Sequence, residues 1–309
     1  MAKKATITIL GLLGSSVFMN FSHFHSPGET LKATELYSEP GGKGSNQAVA
    51  AARLGAEVNF ISCMGKDIAG KECIDFMCAE KIHCNTEYTS NAASPYACIL
   101  TDSTGENHVT VYSGSADYLS AAFVENCENA IAEADILLLN NECPVAANLK
   151  ALEIAEKHGV KAILNPAPYQ SLPERYLERY FAVTPNLHEA AMLSGSPNET
   201  NGEILIHNLL SAGVKYPIIT MGPKGALVWD GNRTIVCPAP SVTAKDTTGA
   251  GDCFNGALCC ALAEGSGIEN AVLFAVLASA YSVQLSHVMP SLPYRTQIEQ
   301  TMSELKNWN

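Results

Sequence analysis

The sequence of 309 residues has no stretch of roughly 18 uninterrupted apolar residues, the least a membrane-spanning helix requires, so no membrane is expected as a partner. It also lacks a lysine or arginine cluster. With Lys plus Arg at 19 against Asp plus Glu at 31, the formal charge is −12, which speaks against nucleic acid or an anionic membrane surface as the main partner. A small anionic ligand stays open, because backbone N–H groups and one or two local cations suffice to hold a phosphate. Eleven cysteines occur without C-x-x-C spacing, several inside apolar runs such as "YACIL" (Cys98) and "ALCCAL" (Cys259, Cys260). Reduced, mostly buried thiols in a cytoplasm are the expectation. The eight histidines lack paired metal spacing, apart from His23 and His25 on one candidate strand, where satisfied or surface histidines are the preferred reading.

What is present reads as α/β. Hydrophobic residues make up 47% of the chain, enough for one large domain with an excursion or for two domains. The N-terminal "MAKKATITILGLLGSSVF" resembles a signal peptide, but "ATITIL" ending at Gly11 reads better as a first buried strand, and no A-x-A cleavage site follows it. "SHFHSPGETLKATELYSEPGGKG" lacks a helical period and reads as short strands and loops. "SNQAVAAARLGA" is helical, "EVNFISCMG" a strand and "AGKECIDFMCAEK" a helix. "SPYACILTD" and "ENHVTVYSG", joined by Ser-Thr-Gly, form a hairpin by their turn chemistry. From Asp135 the short apolar runs "DILLLN", "KAILN", "FAVTPN" and "YPIITMG" alternate with helical stretches, which implies parallel strands joined by crossover helices. Ligands bind at the carboxyl ends of such strands, so Glu142, Asn165, Asn186 and Gly222 are expected along one rim. After Gly249, three helices broken by "GSG" and "MPSLP" complete the chain.

Four stretches carry chemistry. In "KDTTGAGDCFNG", Gly249, Ala250 and Gly251 run straight into a helix, so unpaired N–H groups and the helix dipole converge on an anion. Asp252 would repel that anion unless a hydroxyl lies between them. A base that takes the hydroxyl proton, while the nest stabilises an arriving phosphoryl group, resolves the conflict; an ordinary capped helix with Asp near its N-terminus is the alternative. "EPGGKGSNQAVAAARLGA" offers Gly41, Gly42 and Gly44 for close backbone approach and Lys43 and Asn46 for hydroxyls; it is neither a Walker loop nor G-x-G-x-x-G. In "TPNLHEAAML", Asn186 and Glu189 supply oxygen donors that suit Mg²⁺, or else a plain helix cap. In "TMGPKGALVW", Thr220, Gly222 and Gly225, with Lys224, either lie along a nucleotide's phosphates or form a simple hairpin.

With these motifs in order, the chain resembles the ribokinase (PfkB-type) family of carbohydrate kinases. "GGKGSNQAVAAARLGA" matches one family signature and "DTTGAGDCFNGAL" the other, and "PGET", "LNPAP", "TPN" and "ITMG" extend the likeness over essentially the whole chain. The resemblance implies a mostly parallel central sheet flanked by helices, with a small β lid formed by Ser15 to Pro40 and Ser94 to Gly114. It implies ATP-dependent phosphorylation of a sugar hydroxyl, with Asp252 as base and Gly249, Ala250 and Gly251 as anion hole. It assigns Gly14, Ser16, Gly42, Lys43, Asn46 and Glu142 to the sugar. Asn186, Thr220, Gly222, Lys224 and Gly225 fall to ATP, and Asn186 with Glu189 to Mg²⁺. A monovalent cation such as K⁺ would involve Asp246, Thr248, Ser282, Leu285, His287 and Ser291. The family carries an aspartate where this chain has Ser16, and no acidic residue precedes Glu29; the family's usual glycine is replaced by His287. A nucleoside kinase of the same family and a non-catalytic sugar-binding regulator are the alternatives, and a homodimer through the lids is expected.

Overall fold

The structure is a computed structural model that describes residues 4–172 and 175–306. In chain order the strands are β1 (Thr6–Leu10), β2 (Gly14–Asn20), β3 (Glu35–Gly41), β4 (Glu57–Gly65), β5 (His83–Thr89), β6 (Tyr96–Thr101), β7 (Asn107–Tyr112), β8 (Ile136–Asn140), β9 (Lys161–Asn165), β10 (Ala182–Val183), β11 (Tyr216–Thr220), β12 (Ala226–Trp229) and β13 (Thr234–Cys237). The helices are α1 (Lys43–Arg53), α2 (Ile68–Ala79), α3 (Ala121–Asn126), α4 (Glu128–Ala132), α5 (Val145–His158), α6 (Leu187–Leu193), α7 (Gly202–Ser211), α8 (Ala250–Ala263), α9 (Ile268–Ser282) and α10 (Arg295–Lys306).

Alternation along the strands builds the layers. Ile7 and Ile9 of β1 and Leu138 of β8 point into one core, shared with α1, α8 and α9. Leu10 of β1 and Leu137 and Leu139 of β8 point into the other, shared with α5 and α7. The result is a nine-stranded sheet, order β13-β12-β11-β10-β9-β8-β1-β4-β5, covered by helices on both faces. It is parallel except where β12 runs back against β11 and β13. The strand reading of "ATITIL" holds, with Ile7, Ile9 and Leu10 fully buried inside the sheet, while Met1 to Lys3 ahead of it lie outside the described residues. None of the eleven cysteines is paired, and among the described residues no helix is long and apolar enough to cross a membrane.

A second sheet of four strands, order β3-β2-β6-β7, stands beside the large one. β2 pairs antiparallel with β3 and parallel with β6, and β6 and β7 form the expected hairpin. Register places Gly14, Ser16 and Phe18 of β2 beside Gly41, Glu39 and Tyr37 of β3, and Ser16 and Phe18 beside Ala97 and Ile99 of β6, all on one face.

Two features depart from the sequence reading. His23 and His25 lie beyond the end of β2 rather than on a strand, and His23 Nε2 sits 3.1 Å from Glu29 Oε1. β5 has no counterpart there: "HCNTEYT" is polar because it is an edge strand, only half buried, and pairing with β4 rather than hydrophobicity makes it a strand.

Candidate active site

The carboxyl ends of the central strands, the start of α1 and the start of α8 converge. Helix α8 is buried from Asp252 through Leu262 because it is apolar on every side and lies between the sheet and α9. It packs closely on α1: a Cβ on Gly256 would stand 2.7 Å from Ala50 Cβ and from Gln47 O, so glycine is needed for the two helices to approach. That approach brings α1's polar side chains to Asp252.

Asp252, 6% exposed, accepts from Asn46 Nδ2 at 2.8 Å and from Gln47 Nε2 at 3.1 Å. Burial raises its carboxyl above the usual aspartate range, countered by Lys43 and by the Asn46 and Gln47 hydrogen bonds. Gln47 also donates to Asn165 Oδ1 at 3.0 Å and accepts from Asn140 Nδ2 at 3.4 Å, which fixes the orientation of its amide. Lys43, the first residue of α1, has its ammonium stabilised by Asp252 first and then by Glu142 and Glu189, against the cost of burial. Glu142 accepts from Gly44 N at 3.3 Å, and its own N–H donates to Asn140 Oδ1 at 3.1 Å. It is partly exposed, but desolvation of its carboxyl in the cleft pushes it up to about 7; Lys43 works against the shift and Asp252 adds to it.

The turn into α8 is held by Ala250 N, which donates to Thr247 O at 3.3 Å. Gly249 caps the helix at φ 75°, a left-handed conformation that favours glycine, and a Cβ there would stand 2.5 Å from Val288 Cγ1. Gly251 is exposed, with nothing within 4 Å of where a Cβ would be. Asn255 Nδ2 donates to Gly251 O at 2.8 Å, and Thr184 Oγ1 donates to Asn255 Oδ1 at 2.6 Å, so β10 steadies this turn.

Asn186 and Glu189 form a reciprocal capping box on α6, with Asn186 N donating to Glu189 Oε2 at 2.9 Å and Glu189 N donating to Asn186 Oδ1 at 2.8 Å. Glu189 also faces the site: burial raises its carboxyl, the Asn186 N–H and then Lys43 oppose the shift, and Asp252 adds to it. Asn186 bridges to Thr220 at the end of β11, and the turn Gly222–Lys224 joins β11 to β12, so these residues form the neighbouring part of the rim. Asp246 Oδ1 accepts from Thr248 N and Oδ2 from His287 N, which draws the Ser282 to Ser291 loop against Asp246 and Thr248. His287 stands at φ 66°, the backbone that glycine adopts freely, and its ring stacks on Tyr37 at 3.8 Å. Ser16 is buried and points at Gly41, where a Cβ would stand 2.1 Å from Ser16 Oγ.

The pfkB family carbohydrate kinase profile matches residues 12–295. The chain belongs to this family. The kinase is 36% identical to a ribokinase of Haemophilus influenzae over 302 residues, covering 95% of this chain and 97% of the relative. It is 32% identical over 282 residues to a deoxyribokinase of Salmonella typhi, covering 89% and 92%. A solved Arabidopsis thaliana ribokinase complexed with ribose and ATP superposes with a TM-score of 0.88 at 26% identity, over 96% of this chain and 98% of that one. The kinase's activity is ATP-dependent phosphorylation of a carbohydrate hydroxyl. Gln47, Asn140, Thr184 and Asn255 were not anticipated as site residues. Gln47 had a signal, since it and Asn46 are the amides at the head of an otherwise alanine-rich helix; the others emerge only from strand and helix packing.

Proposed function

We propose that this kinase transfers the γ-phosphoryl group of ATP to a hydroxyl of a pentose or closely related sugar, with Asp252 as general base. The observation that carries the reading is Asn46: its Nδ2 holds Asp252, while its buried Oδ1 has no hydrogen-bond partner among the described residues. That leaves an acceptor for a sugar hydroxyl beside the base, and an unmet buried acceptor is costly. Lys43 and Glu142 frame the same slot as donor and acceptor, and Gly42 and Gly14, whose lack of a Cβ accommodates Leu12 and Pro95, offer main-chain groups to the sugar. The sugar oxygen forms the new bond to phosphorus, the bond to the β-phosphate breaks, and the hydroxyl proton passes to Asp252. The N–H groups at Gly249 and Gly251, together with that of Ala250 as it exchanges its long 3.3 Å bond to Thr247 O for the phosphoryl group, stabilise the charge that spreads over the phosphoryl oxygens.

Thr220, Gly222, Lys224 and Gly225 line the rim for the nucleotide, beside Asn186. Asn186 and Glu189 fit Mg²⁺ by donor chemistry, an amide and a carboxylate oxygen on one helix start. That ion would neutralise phosphate charge when bound. The loop contributing Ser282, Leu285, His287 and Ser291, drawn against Asp246 and Thr248, is rich in oxygen donors and fits K⁺. Eleven unpaired cysteines suit a reducing cytoplasm.

Substrate choice turns on Ser16. An aspartate would present two charged oxygens to neighbouring hydroxyls, each bond worth roughly 1.5 to 3 kcal/mol, whereas serine presents a single uncharged oxygen whose bonds are worth roughly 0.5 to 1.5 kcal/mol. Glu39, beside Ser16 in register, does not replace it, because its oxygens already accept main-chain N–H groups. Plain ribose is therefore not the best substrate; the preferred sugar lacks, inverts or substitutes a hydroxyl at that position. ADP release with ATP and Mg²⁺ across pentoses, deoxypentoses, hexoses, amino sugars and nucleosides is the test. The expected result is a specificity constant for ribose below that of another sugar by roughly ten- to a hundredfold. A maximum at ribose would refute the reading of Ser16, and one confined to nucleosides would refute the sugar assignment.

A further inference from the structure

The loop after α9 is gripped from two sides. On one side Glu39, a buried carboxylate on the edge strand of the small sheet, accepts from Val288 N and from Met289 N, each at 3.0 Å, across 249 and 250 positions of sequence. Two strand positions earlier Tyr37 stacks on His287 with ring centroids 3.8 Å apart, and Phe18 of β2 meets the same imidazole edge-on at 5.8 Å. On the other side Asp246 accepts from His287 N at 3.1 Å. Residues 287–289 are thus fastened to the small sheet through Phe18, Tyr37 and Glu39, and to the segment leading into α8 through Asp246.

The middle residue of that loop touches the catalytic turn. Val288 Cγ1 stands 2.5 Å from where a Cβ would lie on Gly249, the cap of α8, so a shift of Val288 moves the first N–H groups of the helix or opens a gap behind them. Packed side chains and hydrogen-bonded main chain carry such shifts because they have discrete arrangements rather than continuous ones. Asn46 and Gln47 already hold Asp252 from the α1 side, so what the small sheet governs through this loop is the anion-holding half of the site.

We infer that Glu39 is a positioning residue that couples the seat of the small sheet over the cleft to the geometry of the Gly249–Ala250–Gly251 turn, through Val288 and Met289. The inference rests on the reading that this turn holds the transferred group. It makes phosphoryl transfer depend on whether the small sheet is seated, which protects ATP from water when no sugar is present.

The test is Glu39→Gln in the full chain. Glutamine keeps the size but presents an NH₂ group to one of two main-chain N–H donors. The expected result is a roughly tenfold fall in kcat, the loss for about one hydrogen bond to a charged group, with KM for ATP unchanged and the folded fraction intact. His287→Gly, which keeps the left-handed backbone and removes the ring from Tyr37, should give the same split to a smaller degree and serves if Glu39→Gln does not fold. Hydrogen exchange supplies a readout free of turnover: sugar should slow exchange of the amides at 249–251 and 287–289 in the wild type, and not at 249–251 in Glu39→Gln. An unchanged kcat, a loss shared by kcat, KM and folded fraction, or sugar protection that ignores Glu39 would each overturn the coupling. ADP with aluminium fluoride, added to the wild type, tests the underlying reading separately. No protection at 249–251 there defeats the reading of the turn and the coupling with it; protection that is equal in Glu39→Gln defeats the coupling alone.

Discussion

Asp252, the base we propose, is kept in a dry place, and the groups around it explain how that is tolerated. Burial alone would hold its proton on; Lys43 and two amide donors favour the charged form, so the carboxylate is available while staying more basic than an exposed aspartate. Asp252→Asn keeps the shape and removes the proton acceptor. Turnover should fall by about 10² to 10⁴ with KM for ATP nearly unchanged, as read by steady-state kinetics, and a folded variant with wild-type turnover would remove Asp252 from the mechanism. Glu142 tells the complementary story. Its carboxyl lies near 7 in the folded protein against 4.5 as the ordinary value, so the folded state binds the proton more tightly than the unfolded state does. The stability this group contributes is complete below its unfolded value and is lost as pH rises through the folded value, because the buried carboxylate must then ionise. Glutamine cannot ionise, so the melting temperature of Glu142→Gln minus that of the wild type should widen from about pH 5 to about pH 8. A flat difference would mean that Lys43 holds Glu142 charged throughout.

At the scale of elements, what the sequence displayed plainly was periodic or punctuated. The apolar runs of β1, β8, β9 and β11 and the small-residue helices α1 and α8 are where they were expected, because each is buried on both faces or on all sides. The turn between β11 and β12 and the β6–β7 hairpin followed from glycine placement. The edge strands were harder. β5 is polar and half exposed, and its strand character depends on a neighbour far along the chain. The site divides in the same way. Asp252, the glycine turn and Lys43 lie in short, compositionally odd stretches that advertise themselves. Asn140, Thr184 and Asn255 are ordinary polar residues in sequence and become significant only when β8, β10 and α8 stack their ends together. Glu39 had no local signal at all, since its partners are the main-chain N–H groups of a loop some 249 positions away. Asn186 and Glu189 meet the helix-cap reading of their spacing, and the Glu189 carboxyl also feels Lys43 and Asp252, because the start of that helix abuts the cleft.

At the scale of the whole molecule, the small sheet is the unfinished part. Its edge strand β7 is exposed at every residue from Asn107 to Tyr112, and Val109, Val111 and Tyr112 each show more than half of their surface. Register places Val109 beside Ile99 and Val111 beside Ala97, on the same face as Ser16 and Phe18, so the apolar strip continues the roof of the cleft outward. A four-stranded sheet with an open apolar face and an unpaired edge invites another strand or sheet, and proteins normally cover such edges. A second copy of this chain is the occupant we propose, since two such strips are self-complementary about a two-fold axis. Light scattering at high protein concentration should give twice the chain mass of 32.8 kDa. The double substitution Val109→Lys with Val111→Lys should return the mass to that of one chain without unfolding it. Because these side chains extend the cleft roof, the same change should also raise KM for the sugar while leaving KM for ATP unchanged. A wild type that stays monomeric at every concentration tried would leave the strip without this partner, and a dimer that survives both lysines would place the contact elsewhere.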